Sequence, residues 1–406
     1  MNEIAWLSVP VGMDAGRWVT RDRYRTVLVA VHTMVAAQRL LDVVCAVETD
    51  LRVQVVFTQA PDVFHGGVDQ LLHDLGALVL PWQQAVHERF DLVLAAAYTG
   101  LDQLHGPVMV LPHGAGYGKR AAGGSSRGVA AVYGLDAQRL VRDGHLVASS
   151  IVLSHTSQQR VLRRQCPAAV DAAVVAGDPC YDRLRASLLL RPLYRAAFDV
   201  AQDRQFVLVA STWGRQSLVG RNIELIARLM EQLDPRRYCV AALIHPAVWA
   251  GHGARQLRAW LQDAIGSGLT LIEPDVDWRA ALLAADYVIG DHGSVTVYAT
   301  SLGIPVLTTA PADDTLDPRS PQAWVSQHAP KLAVSEPLEP QLRQVTVAAA
   351  RAGRAAVVRR LTSRPGESYR ALREEMYRLL KLPILGKHRS PEPIAVRPSR
   401  RSSRHG

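Results

Sequence analysis

Residues 287–308 read YVIGDHGSVTVYATSLGIPVLT, and this stretch decides the fold class. The apolar run Tyr287–Ile289 predicts a strand, and the polar turn Asp291–Gly293 follows it directly. Ser294–Leu302 has a helical composition, and Val306–Thr308 predicts a second strand. A strand, a helix and a strand in this order predict a βαβ unit, in which the two strands lie parallel.

The same alternation continues outward through both halves of the chain. The other predicted strands are Thr26–His32, Leu51–Thr58, Ala77–Leu80, Phe90–Ala96, Val108–Leu111, Ile151–Ser154, Phe206–Ala210, Tyr238–Ile244 and Leu269–Ile272. The other predicted helices include Thr33–Val47, Gly67–Leu75, Asn222–Leu233, Ala254–Ala264 and Trp278–Ala285. Strands that are apolar throughout are typical of a parallel sheet covered on both faces. Two such series predict the α/β class, with two Rossmann-like parallel-sheet domains facing a cleft.

The predicted organisation has four parts. An N-terminal Rossmann-like domain spans 1–184, and a helical, basic linker follows at 185–204. A C-terminal Rossmann-like domain spans 205–380 and includes two terminal helices that have no strands of their own. The last part, 381–406, is rich in Pro, Arg and Ser, so we expect a disordered basic tail.

The net charge is concentrated in that tail. The 406 residues carry a net charge of +9, and 48% of them are hydrophobic, as in a globular protein. Seven basic residues and one acid lie in 381–406, which gives the tail +6 and leaves +3 for the preceding residues. Such a nearly neutral body does not indicate a nucleic-acid partner. The tail favours either an anionic membrane surface as a partner or a solubilising role without one.

Several other classes are disfavoured. No apolar run reaches the ~18–20 residues that cross a bilayer, and the first residues lack the basic segment of a secretory signal. The four cysteines are far apart, which suits a reducing cytoplasm rather than a disulfide framework or a zinc site. No GxGxxG follows the first strand, and Arg120 stands where a P-loop needs Ser or Thr. We therefore expect no cofactor and metal-independent chemistry.

Polar turns follow four of the predicted strands and the apolar run AAVVA at 172–176. In an open parallel sheet, ligands bind outside the carboxyl ends of the strands. A single histidine there is more often a hydrogen-bonded loop residue than a catalyst, but three of them favour a functional site. These three are His113, His245 and His292. The turns are His113–Lys119, Gly177–Asp182, Ser211–Gly214, His245–Pro246 and Asp291–Val295.

The turn before Ser294–Leu302 has the clearest chemistry. A helix start leaves backbone N–H groups without carbonyl partners and favours negative charge. Gly293 lets an anion approach the backbone, and Ser294 adds a hydroxyl donor. This pattern predicts a pyrophosphate site, and an ordinary serine cap is the alternative of equal standing.

The order and spacing of these turns resemble the CDP-glycerol glycerophosphotransferases of wall teichoic acid synthesis, which have the GT-B architecture. That family has an HG turn followed by a Lys, then GxPRxD, P-T-W/Y, K-x-HP and T-D-Y-S-S-V turns. The similarity covers roughly Val108–Leu307. The matching residues are His113, Gly114 and Lys119; Gly177, Pro179 and Asp182; Ser211, Thr212 and Trp213; His245 and Pro246; and Gly290 to Val295.

Five positions depart from the family pattern. Cys180 replaces the Arg of GxPRxD, and Leu243 replaces the Lys before His-Pro. His292 and Gly293 replace Tyr and Ser, and Tyr298 stands where an acidic residue usually follows. These changes bear more on the substrate than on the fold, and they indicate a divergent member.

The resemblance implies a cytoplasmic transferase, peripheral at the membrane if the tail binds there. It would move a glycerophosphate or related phospho-alcohol group from a nucleotide-diphosphate donor, CDP-glycerol, to a hydroxyl of a cell-wall or lipid-linked acceptor. The acceptor would be a polyol phosphate or a glycolipid, bound by the N-terminal domain, with the donor in the C-terminal domain.

The resemblance also implies roles for individual residues. His113 is the expected general base, because a neutral imidazole is available at pH 7, and His245 is the second expected catalytic residue. The expected donor-phosphate ligands, which neutralise charge on the pyrophosphate, are Gly293, Ser294, Thr212 and His292. The other residues expected in the cleft are Gly114, Lys119, Asp182, Trp213 and Asp291.

The sequence leaves two alternatives open. One is another GT-B nucleotide-sugar glycosyltransferase or a UDP-sugar epimerase, although the helix after Ser294 has no acidic residue to place against a ribose. The other is a non-catalytic GT-B-like binding protein, which the departures at Cys180, Leu243, Gly293 and Tyr298 favour.

Overall fold

Apolar strands and helices alternate along the chain in the order that the sequence predicts. A computed structural model describes residues 6–11, 15–17, 20–21, 24–121, 131–309, 315–388 and 390–396. The chain forms two compact units. The N-terminal unit comprises Met1–Cys180 and Thr362–Ser390, and the C-terminal unit comprises Tyr181–Leu361 and Pro391–Gly406.

The N-terminal unit is built on a seven-stranded sheet with the strand order β3-β2-β1-β4-β5-β8-β9. All of its strand pairs are parallel, and β6 and β7 form a separate antiparallel pair. The strands are β1 Arg25–Val31, β2 Val53–Gln59, β3 Val79–Leu80, β4 Leu92–Ala95, β5 Val108–Val110, β6 Val141–Arg142, β7 His145–Leu146, β8 Ser150–Leu153 and β9 Ala173–Val175. The helices are α1 Met34–Val44, α2 Val68–Asp74, α3 Trp82–Ala85, α4 Ala137–Leu140, α5 Thr156–Gln165 and α6 Pro179–Ser187, which crosses the unit boundary.

Both faces of this sheet are covered. Successive residues of β1 point to opposite faces, as the period of a strand requires. Val27 and Val29 lie in one apolar cluster, whereas Leu28 and Ala30 lie in the other. The strands are apolar throughout because both faces of the sheet are buried, as the sequence predicts.

The C-terminal unit has a five-stranded parallel sheet with the order β12-β11-β10-β13-β14. Its strands are β10 Gln205–Ser211, β11 Tyr238–Ile244, β12 Thr270–Ile272, β13 Tyr287–Gly290 and β14 Val306–Thr308. The remaining helices are α7 Arg191–Ala197, α8 Leu218–Asn222, α9 Glu224–Gln232, α10 Pro246–His252, α11 Ala254–Trp260, α12 Gln262–Gly266, α13 Trp278–Ala284, α14 Ser294–Leu302, α15 Pro321–His328, α16 Leu338–Gln344, α17 Val347–Leu361 and α18 Ser368–Leu380. Short 3-10 helices lie at Ala15–Arg17, Leu101–Gln103, Pro167–Ala169 and Leu188–Leu190.

Both sheets reverse their strand order at one point. The reversal lies between β1 and β4 in the N-terminal unit and between β10 and β13 in the C-terminal unit. Ligands of doubly wound sheets bind at the carboxyl ends of the strands on either side of such a point. The predicted fold class, two Rossmann-like parallel sheets, is confirmed.

The unit boundaries differ from the predicted ones in two places. The stretch predicted as a linker, 185–204, is part of the C-terminal unit, because Arg191 and Arg195 both form ion pairs with Asp286 at 2.6 and 2.7 Å. Helix α18 belongs to the N-terminal unit rather than to the C-terminal one. Its apolar face, which includes Leu372 and Met376, is buried in a core cluster with α1 and β1.

The structure differs from the prediction of a disordered tail at some of the residues that it describes between 381 and 396. Ile394 is 1% exposed, its N–H donates to the Ser187 hydroxyl at 2.9 Å, and its carbonyl accepts from the Tyr194 hydroxyl at 2.7 Å. The carbonyl of Glu392 accepts from Arg183 at 3.0 Å. Residues 397–406, which carry four of the tail's arginines, lie outside the described residues.

No helix in the described part of the chain is both long and apolar enough to span a bilayer.

Candidate functional site

A buried carboxylate joins two of the predicted turns at the point where the C-terminal sheet reverses its order. Asp291 follows β13 and Thr212 follows β10, the strands on either side of that point. The Oδ2 atom of Asp291 accepts from the Thr212 N–H and hydroxyl, both at 2.8 Å, and from the Leu218 N–H at 3.0 Å. Its Oδ1 atom accepts from the Gly293 N–H at 3.0 Å. Asp291 thus holds the start of α14 against the end of β10.

These bonds change the roles of two predicted phosphate ligands. The Thr212 hydroxyl and the Gly293 N–H each donate their hydrogen to Asp291. A hydrogen donated to a carboxylate is not available to a phosphate. Thr212 and Gly293 therefore shape the turn through their bonds to Asp291.

Gly293 is required by close packing rather than by an unusual backbone conformation. Its φ is −77°, which any residue adopts. A Cβ atom at this position would lie 2.4 Å from Cγ2 of Thr212 and 3.2 Å from Oδ1 of Asp291. The turn can keep its shape only while residue 293 lacks a side chain.

Replacement of Gly293 by alanine is expected to destabilise the C-terminal unit by about 1–3 kcal/mol, because the Thr212 side chain must move. Thermal denaturation measures this loss. Gly251 in α10 is the matched control, since a Cβ there meets nothing within 4 Å and Gly251→Ala should cost nothing. Equal melting temperatures for both variants would contradict the packing argument.

His245 lies next to the Thr212 turn. It follows β11, and its N–H donates to the Ser211 carbonyl at 3.0 Å. Its side chain caps α10, with Nδ1 accepting from the Ala247 N–H at 3.1 Å. Because Nδ1 is the acceptor, the hydrogen of the neutral ring lies on Nε2. His245 is therefore arranged as a hydrogen-bond donor at Nε2.

The other predicted residues of the C-terminal unit differ in accessibility. Trp213 is 45% exposed beside Thr212, as a platform for a ligand ring would be. His292 is 7% exposed, and Asp182 in α6 is 3% exposed, so both are largely covered by protein. Tyr298, at a position where the family usually has an acid, is buried and packs on Trp278 with ring centroids 5.7 Å apart.

In the N-terminal unit, His113 follows β5 and is oriented as a base. Its Nδ1 lies 3.1 Å from the carbonyl oxygen of Ala96, which follows β4. A carbonyl can only accept, so Nδ1 carries the hydrogen and Nε2 of the neutral ring keeps its lone pair. His113 and His245 are therefore opposite tautomers, one suited to accept a proton and the other to donate a hydrogen bond.

The surroundings of His113 favour its neutral form. His113 is exposed at its surface, but the protein around the ring displaces water, and this desolvation lowers the pKa of His113. The hydrogen bond to Ala96 raises this pKa, and the positive charges of Lys119 and Arg39 lower it. The net direction is below the usual value, so the lone pair on Nε2 is present at neutral pH.

The turn after His113 is tightly held. Gly116 has a φ of +69°, which a residue with a side chain rarely adopts. A Cβ there would lie 2.7 Å from Nε2 of Gln158 and 2.8 Å from Oγ of Ser154. The carbonyl of Gly114 accepts from the Gly116 N–H at 2.9 Å. Lys119, further along, is exposed.

Two residues that the sequence analysis did not select lie at this edge of the sheet. His32 follows β1 and is fully buried, with Nε2 2.9 Å from the Thr99 carbonyl. Its Nδ1 has no hydrogen-bond partner among the described residues. The rule of polar residues after strands could have found it, because it ends the run TVLVAVH. Arg39 lies within α1, where no motif marks it.

The described residues contain no group of three or more His, Cys, Asp or Glu side chains placed to hold a metal ion.

No protein-family model and no curated protein matches the chain. Solved structures do match it. The wall teichoic acid polymerase TagF aligns with 12% identity and a TM-score of 0.61, over 88% of this chain and 89% of that chain. A TagF variant with one histidine replaced by asparagine, soaked with CDPG, aligns with 12% identity and a TM-score of 0.58, over 89% and 90%.

A UDP-GlcNAc 2-epimerase from Methanocaldococcus jannaschii is also similar, with 15% identity and a TM-score of 0.51, over 87% of this chain and 99% of that chain. Identities this low bear on the fold alone. The chain has the fold of the wall teichoic acid polymerase TagF, and the resemblance drawn from its motifs is confirmed at that level.

Proposed function

We propose that this protein is a glycerophosphotransferase-like transferase that uses CDP-glycerol as donor and a hydroxyl of a cell-wall or lipid-linked acceptor. The Asp291 carboxylate carries the proposal. It joins two motif turns at the reversal of strand order, the point where doubly wound sheets generally bind their ligands. The likeness in fold to TagF, which was soaked with CDPG, supports the choice of donor.

The proposed reaction is a displacement at phosphorus. The acceptor hydroxyl attacks the β-phosphorus of CDP-glycerol, and a new P–O bond forms. The bond between the β-phosphorus and the bridging oxygen breaks, and CMP leaves with its electron pair. The hydroxyl proton passes to Nε2 of His113, whose lone pair is oriented by the Ala96 carbonyl. Every atom of the donor is thus found in CMP or in the extended acceptor.

Charge develops on the leaving CMP and on the β-phosphate oxygens. The first turn of α14 offers N–H donors and a favourable dipole, and Ser294 adds its hydroxyl. The Nε2–H of His245 is the further donor, since its Nδ1 is held by Ala247. Preorganised donors of this kind stabilise the transition state without moving during the reaction. Trp213, exposed beside Thr212, is proposed to flank the cytosine.

Thermal denaturation with a nucleotide panel tests the donor. We expect CDP-glycerol and CDP to raise the melting temperature, whereas UDP-sugars and GDP-sugars do not. A ligand at about 100 times its dissociation constant stabilises the folded protein by about 2.7 kcal/mol. Ser294→Ala should reduce the shift, and Ser267→Ala at the end of α12 is the matched control that should keep it.

The other outcomes of the panel decide between the remaining functions. A selective response to uridine compounds would overturn the choice of donor and favour a sugar transferase or an epimerase, and the similar structure from Methanocaldococcus jannaschii is an epimerase. A response to no nucleotide would contradict the transferase altogether. Nucleotide binding without any CMP release, in the presence of acceptor, would favour a non-catalytic binding protein.

The cellular setting is a separate part of the proposal. We propose a cytoplasmic protein that is peripheral at the membrane. The residues that favour an anionic lipid surface are Arg397, Arg400, Arg401 and Arg404.

A further inference from the structure

Arg39 and Asp178 form a buried ion pair next to the turn that contains His113. Arg39 of α1 is 4% exposed, and Asp178, which follows β9, is 1% exposed. Nη1 of Arg39 lies 3.4 Å from Oδ1 of Asp178. Two charges buried this deeply are retained only with good partners, since removal of one partner leaves the other charge uncompensated.

The second arm of Arg39 reaches the turn itself. Nη2 donates to the Gly114 carbonyl at 2.9 Å. Gly114 directly follows His113, and its carbonyl also accepts from the Gly116 N–H. The guanidinium thus joins α1, the turn after β5 and the turn after β9 through one planar group. A lysine, with a single nitrogen on a flexible chain, does not reproduce this geometry.

We propose that Arg39, held by Asp178, is a positioning residue for His113: it fixes the Gly114 carbonyl and thereby the place of the imidazole. The inference deepens the proposed function and rests on it for its catalytic meaning. Its structural content, that the guanidinium sets the state of the His113 ring, can be measured without any activity.

The charges that face His113 make this measurement selective. Arg39 and Lys119 lower the pKa of His113, and Asp62 raises it. Arg39→Met removes one of the cations, so the pKa of His113 should rise. Arg39→Lys keeps a cation but loses the planar fork, so the pKa should stay while the ring moves. The two variants therefore separate the effect of the positive charge at residue 39 from the effect of the position of the His113 ring.

The experiment records ¹⁵N spectra of labelled histidines over a pH series, with the His113 signal assigned from His113→Asn, together with kcat and KM for CMP release. We expect Arg39→Lys to shift the His113 resonances and to lower kcat roughly 10- to 100-fold at unchanged donor KM. Arg25→Met is the matched control, because Arg25 pairs with Asp91 at the opposite end of β1 in a partly exposed site. It should change neither the resonances nor kcat.

A double variant separates positioning from stability. Arg39→Met/Asp178→Asn removes both buried charges, so it should recover much of the melting temperature lost in Arg39→Met. It should not recover kcat, because the Gly114 carbonyl still lacks its donor. Recovery of kcat with stability would overturn the proposal, as would wild-type His113 resonances in Arg39→Lys. If the wild-type protein releases no CMP, the proposed function fails, and the resonances alone still decide the positioning role.

Discussion

Replacement of His113 by asparagine is expected to lower kcat for glycerophosphate transfer by roughly 10²- to 10⁴-fold, the usual contribution of a positioned general base. Asparagine is similar in size and can still donate a hydrogen bond to the Ala96 carbonyl, which His113 contacts at 3.1 Å. It has no lone pair basic enough to take the hydroxyl proton. Donor binding, measured by calorimetry with CDP-glycerol, should persist because the proposed phosphate contacts are made by Ser294 and His245 and not by His113.

The pH profile of the wild-type protein gives the same prediction a second readout. Protonation of His113 removes the base, so kcat/KM must fall as the pH decreases through its pKa. Since desolvation of the ring and two cations lower this pKa, the fall should lie below the ordinary histidine value of about 6.5. His145→Asn, at an exposed histidine of the β6–β7 pair, is the control. An acid limb well above pH 6.5, or an active His113→Asn, would show that another group is the base.

Replacement of Asp291 by alanine should have the largest effect on stability. The change leaves the Thr212, Leu218 and Gly293 N–H groups without their acceptor in a buried region. Each buried donor left unsatisfied costs about 1–3 kcal/mol, so we expect the three together to cost at least about 3 kcal/mol. For a unit of this size that corresponds to a fall in Tm of at least about 6 °C.

Calorimetry of the C-terminal unit's transition measures this loss. Asp263→Ala is the control, because Asp263 lies exposed in α12 of the same unit and its change should stay within about 0.5 kcal/mol. Nucleotide binding should be lost along with the fall in Tm, since Thr212 and Gly293 no longer share a partner. A Tm equal to that of the control would contradict the central place given to Asp291.

The fold was predictable because its signal is local. Each predicted strand is a short apolar run, and both cores confirm the period of two, as Val27 and Leu28 show by facing opposite clusters. The packing of α18 on the N-terminal core was not predictable. An amphipathic sequence indicates that a helix packs on a core, but it does not show which core. The placement of residues 390–396 was not predictable either. The composition of this segment is typical of disorder, and Ile394 is its one buried side chain.

The candidate site was predictable only in part. The rule that polar turns follow strands identified Thr212, His245 and Asp291. It did not show which acceptor each donor of these turns bonds, because that depends on the three-dimensional structure. Thr212 and Asp291 lie 79 positions apart, and only the pairing of β10 with β13 shows that Asp291 takes the hydrogens predicted for a phosphate. Arg39 gives no signal in the sequence, because an arginine within a helix ordinarily indicates a solvated face.

A crystal structure of the His113→Asn variant with CDP-glycerol would show where the donor binds. We expect the diphosphate to lie on the first turn of α14, with its oxygens about 2.7–3.2 Å from Ser294 and from Nε2 of His245. A nucleotide bound at another surface, or a diphosphate that leaves the α14 turn and His245 uncontacted, would contradict it.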